Sequence, residues 1–404
     1  MKVVWVTTNL PDPTDTGGSA FEFELLRALA ADHDIRLISS AVSGDPAASL
    51  LPSFGVTIEH MVYEARPHPQ NSLGVMATMA VARPTLLIWL RRAQLRLLVN
   101  AVRRAEATER ADLVHATHGD LAPVLAGSSA PTALLLFDSY VRDIERRLEH
   151  ERVPRRRLQL TVERRRSKAW EKRWYTHVDA LGAVSPVDAE FSARLLGRSV
   201  EVLPAPIPDE YFASSDRPRS NTTVTFVGTL AYPPNIDAIH WLVEDIWPRV
   251  RELAPHARLT VAGKGADNEA VPLLRRLVEG VGGTVLADVA DIRTIYWDAA
   301  VVVAPMRLGS GLRTKVIHAM ACGAPVVGTP LAFEGVGGHH DKEVLIGITA
   351  AEIAGMIVKC LVDEVGAGVR ADAARTLVGE LRTGVVAKRF DEWWKRAAKA
   401  GSMP

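Results

Sequence analysis

Cysteine is nearly absent. Cys322 and Cys360 are the only two in 404 residues, and they have neither metal-ligand spacing nor a partner motif. This argues against a disulfide framework or a zinc site and leaves both as small buried apolar residues. An excess of charge is missing too. Lys and Arg number 48 against 47 for Asp and Glu, a net charge of +1, which gives no global attraction to nucleic acid or membrane. Long apolar runs are also lacking. The longest weakly polar stretch, Ser72 to Leu90, is broken by Arg83-Pro84, falls short of the ~20 apolar residues that span a bilayer, and reads as helices packed on a domain. Met1-Lys2-Val3-Val4-Trp5-Val6 runs straight into a strand where a targeting signal would carry a long apolar segment, so a cytoplasmic address is expected. With 48% hydrophobic and 24% charged residues, the composition is that of an ordinary globular protein. At roughly 150 residues per domain the length suggests two or three domains.

What is present is alternation of strand and helix. Short apolar strands at Val3–Thr7, Ile35–Ser39, Leu113–Ala116 and Ala133–Phe137 are interleaved with helical patterns such as Ser19 to Ala31. After a proline-rich linker, Leu203-Pro204-Ala205-Pro206-Ile207-Pro208, the plan repeats. The second set of strands is Thr223–Val227, Arg258–Ala262, Thr284–Leu286, Ala300–Ala304 and Pro325–Gly328, with helices at Asn235–Trp247 and Arg313–Ala321. The expected fold is α/β with two doubly wound, Rossmann-like domains. Their expected limits are residues 1–205 and 209–384, with a last helix over 385–400.

The densest chemistry lies in Val301–Thr329. An apolar strand is followed at once by Gly309-Ser310-Gly311, then by Arg313 and Lys315 and a helical apolar pattern that Gly323-Ala324-Pro325 stops. Free amides at a helix start stabilise an anion, and two cations beside them would add full charges, so this is a phosphate-site candidate. Gly17 and Gly18, between the first strand and first helix, allow close backbone approach to a ligand. In Asp112–Asp120, His118 lies beyond a strand end, where α/β sheets bind ligands, while His115 lies within the strand and reads as structural. Asp138 also sits at a strand end, suited equally to acceptor hydroxyls or to helix capping with Ser139.

The segment APMRLGSGLRTKVIHAMACGAPVVGT resembles the donor-site segment of glycosyltransferase family 4, in the branch reading roughly APLRxGSGTRxKILEAMAxGxPVVxT. Phe226-Val227-Gly228-Thr229-Leu230-Ala231-Tyr232-Pro233-Pro234-Asn235 is similar to that family's FVGxLxYxPN loop. Residue matches cover almost the whole chain. The resemblance implies the GT-B architecture, two facing domains with a cleft for nucleotide sugar and acceptor, and a C-terminal helix that crosses back to the N-terminal domain. It implies retaining, metal-independent transfer from a nucleoside-diphosphate sugar to a hydroxyl or amine. The sugar nucleotide is co-substrate, UDP-sugar favoured over dTDP- or GDP-sugar, with no other cofactor.

On the same ground His118 matches the active-site histidine. The donor would be held by Gly17, Gly18, Gly228, Thr229, Ser310, Gly311, Leu312, His318 and Glu334, and Asp138 would face the acceptor. An Arg and a Lys common in the family's FVG loop are missing, so Arg313 and Lys315 must supply the charge. The family's paired glutamates would fall at Ser310 and His318. The second loss is unusual, because that carboxylate accepts from the ribose whereas a neutral histidine offers one acceptor nitrogen. Compensating geometry with an ordinary UDP or GDP donor is slightly favoured over a deoxyribose donor, and a degraded site is the third reading.

Acceptor identity stays open among small molecules, glycans and lipid-linked sugars. Nucleic acid is not expected as a partner. The basic run from Arg142 to Arg173 could grip a membrane surface or a polyanion, but interspersed acidic and apolar residues favour a solvated helix face. Rival functions are a nucleotide-sugar epimerase and a non-catalytic glycan- or nucleotide-binding subunit. A dinucleotide oxidoreductase is disfavoured, since no strand-linked GxGxxG with a following ribose-binding acid occurs.

Overall fold

The computed structural model describes residues 1–13, 17–41, 49–62, 92–215, 219–309 and 313–401. The Ser72 to Leu90 stretch and three candidate donor residues, Ser310, Gly311 and Leu312, lie outside the described residues. The chain divides into two compact units, 1–206 with 383–404, and 207–382.

The first unit is built on seven parallel strands. They are β1 Lys2–Thr7, β2 Asp34–Ala41, β3 Thr57–Val62, β4 Leu113–Thr117, β5 Thr132–Leu136, β6 Ala180–Ala183 and β7 Glu201–Val202, ordered β3-β2-β1-β4-β5-β6-β7. The strands at the centre are buried on both faces, as their near-continuous Val, Leu and Ala runs demand. Strand order reverses between β1 and β4, which pair in parallel from Val3 with Leu113 to Val6 with Ala116. The crevice outside the carboxyl ends of these two strands is where a doubly wound sheet binds ligands. Three strands, β3, β6 and β7, are additions to the four expected in this half. β6 is only Ala-Leu-Gly-Ala, and Gly182 is dictated by packing: a Cβ there would lie 2.5 Å from Leu203 Cδ1.

The C-terminal helix Thr383–Ala400 belongs to this first unit. Its Trp394 ring meets Trp5 of β1 edge-on with centroids 5.7 Å apart, and Trp393 meets His115 of β4 at 5.7 Å. His115 is fully buried among these rings, and burial pushes its pKa down to about 3, so it is a neutral core residue.

The second unit carries six parallel strands. They are β8 Thr223–Val227, β9 Arg258–Gly263, β10 Thr284–Ala287, β11 Val301–Ala304, β12 Val326–Gly328 and β13 Leu345–Ile346, ordered β10-β9-β8-β11-β12-β13. Here the order reverses between β8 and β11, paired at Val301 with Val224 and Val302 with Thr225. The helix expected over Asn235–Trp247 is instead a run of three pieces. An α-helix over Pro233–Trp241 passes through a π-turn at Leu242–Ile246 into a second α-helix over Trp247–Leu253. Pro248 has no N–H to continue the ladder, and the wider turn falls just before it. Among the described helices none is long and apolar enough to cross a membrane.

Candidate functional sites at the two switch points

In the first unit, β1 ends at Thr7 and helix α1, Gly17–Leu29, begins at the glycine pair. Gly18 lies close to the next loop: a Cβ placed on it would be 3.8 Å from His118 Cε1 and 3.8 Å from Phe137 Cε1. Ser19 closes the start of α1, its hydroxyl accepting from the Asp12 amide at 2.8 Å. His118 follows β4 with φ 71 and ψ 133, a backbone region that side chains other than glycine rarely occupy. Its ring stacks on Phe137 with centroids 4.3 Å apart, leaving the side chain about one-third exposed (35%). The following Gly119 has no room for a side chain, since a Cβ would fall 1.9 Å from Tyr175 Oη.

Behind His118 sits a residue that sequence reasoning missed. Glu22 projects from α1 beneath the switch point, 3% exposed, where the hydroxyls of Thr7 on β1 and Thr117 on β4 both donate to its carboxyl group. His118 Nε2 is 3.8 Å from Glu22 Oε1. Burial raises the Glu22 pKa to about 8, more than the Thr7 hydrogen bond lowers it, with Asp120 adding to the rise. Glu22 is therefore largely protonated at neutral pH. The available signal was a carboxylate set within the apolar run Phe21, Phe23, Leu25 and Leu26 of α1.

Asp138 lies half-buried two residues beyond the end of β5, and capping of helix α2, Tyr140–His150, falls to Ser139, whose side chain accepts from Arg142 N. Ser139 in turn donates to Glu171, which also takes the Val141 amide at 3.2 Å. Burial lifts the Glu171 pKa to about 7 despite these bonds. A recess at the opposite, amino-terminal ends of β1 to β3 is lined by charges such as Lys2, Arg36 and Glu109. Both cations reach Glu109, at 3.5 and 4.0 Å.

In the second unit, the loops after β8 and β9 are locked together. Gly228 N donates to Ala262 O at 2.9 Å and Leu230 N to Lys264 O at 2.9 Å. The backbones approach so closely that a Cβ on Gly263 would lie 1.8 Å from the Gly228 carbonyl oxygen. This turn presents Asn235, 3% exposed at the start of helix α4, Pro233–Trp241. Its Nδ2 donates to Thr229 O at 2.8 Å, and its Oδ1 accepts from Lys315 Nζ.

Lys315 belongs to helix α5, Thr314–Ala321, which follows β11. Its ammonium sits 4.7 Å from the Phe226 ring centroid and 2.9 Å from where a Gly228 Cβ would be. Gly228 is thus a gap through which Nζ reaches the loop. Burial, and then the neighbouring Arg313, push the Lys315 pKa down to about 7, so it is only partly charged at neutral pH. The two full charges read from the sequence are therefore corrected by the cost of desolvating an ammonium beside another cation. Arg313 is the N-cap of α5 and 6% exposed, with Nη2 3.5 Å from the Cβ position of Gly309, whose φ is 112. A third cation of the segment, Arg307, is taken up by Asp237 at 2.7 Å.

His318, one turn further along α5, stacks obliquely on Tyr211 with centroids 4.2 Å apart. Burial lowers its pKa to about 4, so at neutral pH the ring is uncharged and retains one acceptor nitrogen. Glu334 ends a short helical turn over Pro330–Phe333, half-buried and followed by Gly335 with φ 77. Thr229 is exposed, and its carbonyl rather than its hydroxyl holds the loop. Asp288, with φ 51, accepts from the Gly265 and Ala266 amides at 2.8 and 3.0 Å and shapes the neighbouring loop. The structure thus gathers Gly228, Asn235, Arg313 and Lys315 at one switch point, and Gly18, His118 and Glu22 at the other.

Residues 221–363 match the family model described as glycosyl transferases group 1. An uncharacterized 44.6 kDa protein in the cps region of Klebsiella pneumoniae is 28% identical over 130 residues, which is 31% of this chain; the match spans about a third (34%) of that relative's length. Among solved structures, sucrose-phosphate synthase from Thermosynechococcus elongatus aligns with TM-score 0.72 at 16% identity, covering 99% of each chain. HepE of Anabaena in complex with UDP and glucose aligns with TM-score 0.67 at 16% identity, over 97% of this chain and 98% of its own. A glycosyltransferase from Rickettsia africae gives TM-score 0.67 at 12% identity, over 98% of both. The second unit thus carries a glycosyltransferase group 1 domain, and the chain has the two-unit, Rossmann-like fold of GT-B glycosyltransferases.

Proposed function

We propose that this chain is a retaining, metal-independent glycosyltransferase using a nucleoside-diphosphate sugar, with UDP-sugar favoured. The observation that carries the reading is the Lys315–Asn235–Gly228 cluster beside Arg313, inside the matched domain and at the switch point of its sheet. A diphosphate set against the start of α5 would meet helix amides, a buried guanidinium and an ammonium that regains its full charge when the anion arrives. The solved relative binding UDP and glucose supports this donor class. His318, held neutral against Tyr211, keeps an acceptor for a ribose hydroxyl, which supports an ordinary ribonucleotide.

In the proposed reaction the bond from the anomeric carbon to the diphosphate oxygen breaks and one to the acceptor oxygen forms on the same face. The acceptor proton passes to the departing phosphate oxygen, so no protein nucleophile is needed. Arg313 and Lys315 stabilise the charge growing on the leaving group. Gly17, Gly18, Thr229 and Glu334 would line the donor. In the first unit His118 would touch the reacting sugar or acceptor, and Asp138 the acceptor hydroxyls.

Purified protein would be screened by thermal shift against UDP, GDP and dTDP, then assayed for nucleotide release with and without EDTA, the product's anomeric configuration being read by NMR. UDP should raise the melting temperature, and Arg313→Ala with Lys315→Ala should abolish release while leaving the unliganded melt nearly unchanged. Failure of all three nucleotides to shift the melt would remove the donor assignment. An inverted product or loss of activity in EDTA would remove the finer mechanism.

A further inference from the structure

Helix α3, Pro154–Tyr175, carries most of the basic run, and the structure separates its charges by face. Leu160, Glu163, Ser167, Glu171 and Tyr175 point inward, Glu163 at 3% and Glu171 at 0% exposure. Both acids within α3 are therefore inside, and between Arg152 and Arg173 no acidic residue is exposed. Along α3, the acids that dilute the run in sequence are thus absent from the outer face. That face has at its middle Leu158 and Val162, 66% and 42% exposed and one turn apart, and exposed Ala169 continues the same stripe. By helical periodicity Arg155, Arg166 and Arg173 flank the stripe on one side and Arg165, Lys168 and Lys172 on the other, all exposed. Of the neighbouring acids of α2, Glu145 faces Arg164 of α3 at 3.7 Å and Asp143 faces Arg147 at 3.8 Å, while Glu149 is exposed.

We propose that this outer face of α3 docks in the plane of an anionic lipid surface. A free polyanion would be served by the cations alone and would leave Leu158 and Val162 in water. A bilayer interface accepts an apolar stripe at acyl depth and long cationic side chains in the headgroups on either side. With a net charge of +1 for the whole chain, the exposed cations of this face are a local excess and not part of a general one. The inference is independent of the donor site in the other unit.

The test is sedimentation of the full-length protein with vesicles of pure phosphatidylcholine, or of phosphatidylcholine with about one-third phosphatidylglycerol, at low and high salt. Binding should occur to the anionic vesicles only and weaken with salt. Arg155→Gln, Arg165→Gln and Arg166→Gln together should weaken it on the order of a hundredfold, at about fivefold per charge. Leu158→Ser with Val162→Ser should weaken it about tenfold. All these side chains are exposed, so the melts should match wild type. The proposal is overturned by absence of vesicle binding, by equal binding to neutral vesicles, or by anionic binding that the serine pair leaves intact. The last outcome, with equally unaffected retention on heparin, would make the face a polyanion site.

Discussion

His118 combines a strained backbone, φ 71 and ψ 133, with a ring held against Phe137 and 3.8 Å from a buried carboxyl group. Such backbone costs about 1–3 kcal/mol and persists where surrounding structure enforces it. Replacing His118 by alanine removes the ring but keeps the strain, whereas glycine removes both. Glycine normally destabilises a strand end relative to alanine, so the order should invert here: His118→Gly should exceed His118→Ala in stability by about 1 kcal/mol in urea unfolding. Both should lose transfer activity. If alanine proves the more stable, the strain is not real. Lys315 gives a second test, through pH. Its folded pKa of about 7 lies below the ordinary 10.5, so its neutral form favours the folded state. That contribution is complete above the ordinary value and is lost as pH falls through about 7. Unliganded stability should therefore rise with pH across this window, a trend that Lys315→Met abolishes. Diphosphate binding at pH 8 should take up a proton, seen as a calorimetric enthalpy that depends on the buffer's ionisation heat; no uptake would mean that the ammonium does not meet the phosphates.

At the scale of elements, both candidate sites are made by strand ends and the helices that follow them. The β8 and β9 loops meet where a Gly263 Cβ would lie 1.8 Å from a carbonyl oxygen. Gly263→Ala should push the Gly228 turn away from β9 and release Asn235 from Lys315. Nucleotide affinity should fall at least tenfold, and the second unit should lose about 1–3 kcal/mol. Unchanged affinity by calorimetry would show that the loop can yield. How much could be read beforehand follows the same division. Runs such as Val301–Ala304 and Leu113–Thr117 announce buried parallel strands because both faces need apolar residues, so the doubly wound fold was legible. The glycine at the positive φ of Gly309 and the cations gathered after β11 were legible too, since both lie within one local segment of sequence. Glu22, Asn235 and Gly263 were not assigned roles. Each acts on a group brought near only by the sheet, Thr117 for Glu22 and Lys315 for Asn235, and periodicity says nothing about such pairs. On α3 the sequence likewise left open which side of the helix Glu163 and Glu171 take, because a charge count along the chain carries no facing; both are buried.

For the whole molecule, the first unit depends on the last eighteen residues of its fold, Thr383–Ala400. Phe390 and Trp394 are completely buried, and Trp394 lies against Trp5 and within 5.3 Å of the His115 ring centroid. The start of the same helix is tied to α1, where Thr383 Oγ1 donates to the buried Glu24 at 2.6 Å. Removing a core aromatic leaves a cavity as well as lost transfer energy, costing about 3–5 kcal/mol. Because the chain forms two compact units, it need not unfold in a single step. Trp394→Ala should therefore move the unfolding of the first unit to lower denaturant, although the substituted residue stands near the other end of the chain. The second unit, which holds the Arg313 and Lys315 cluster, should keep its own transition and its stabilisation by UDP. Hydrogen exchange in the presence of UDP would separate the cases. Faster exchange confined to residues 1–206 and 383–401 supports two autonomous cores, while equal acceleration across residues 207–382 would mean that the donor unit stands only when the first unit does.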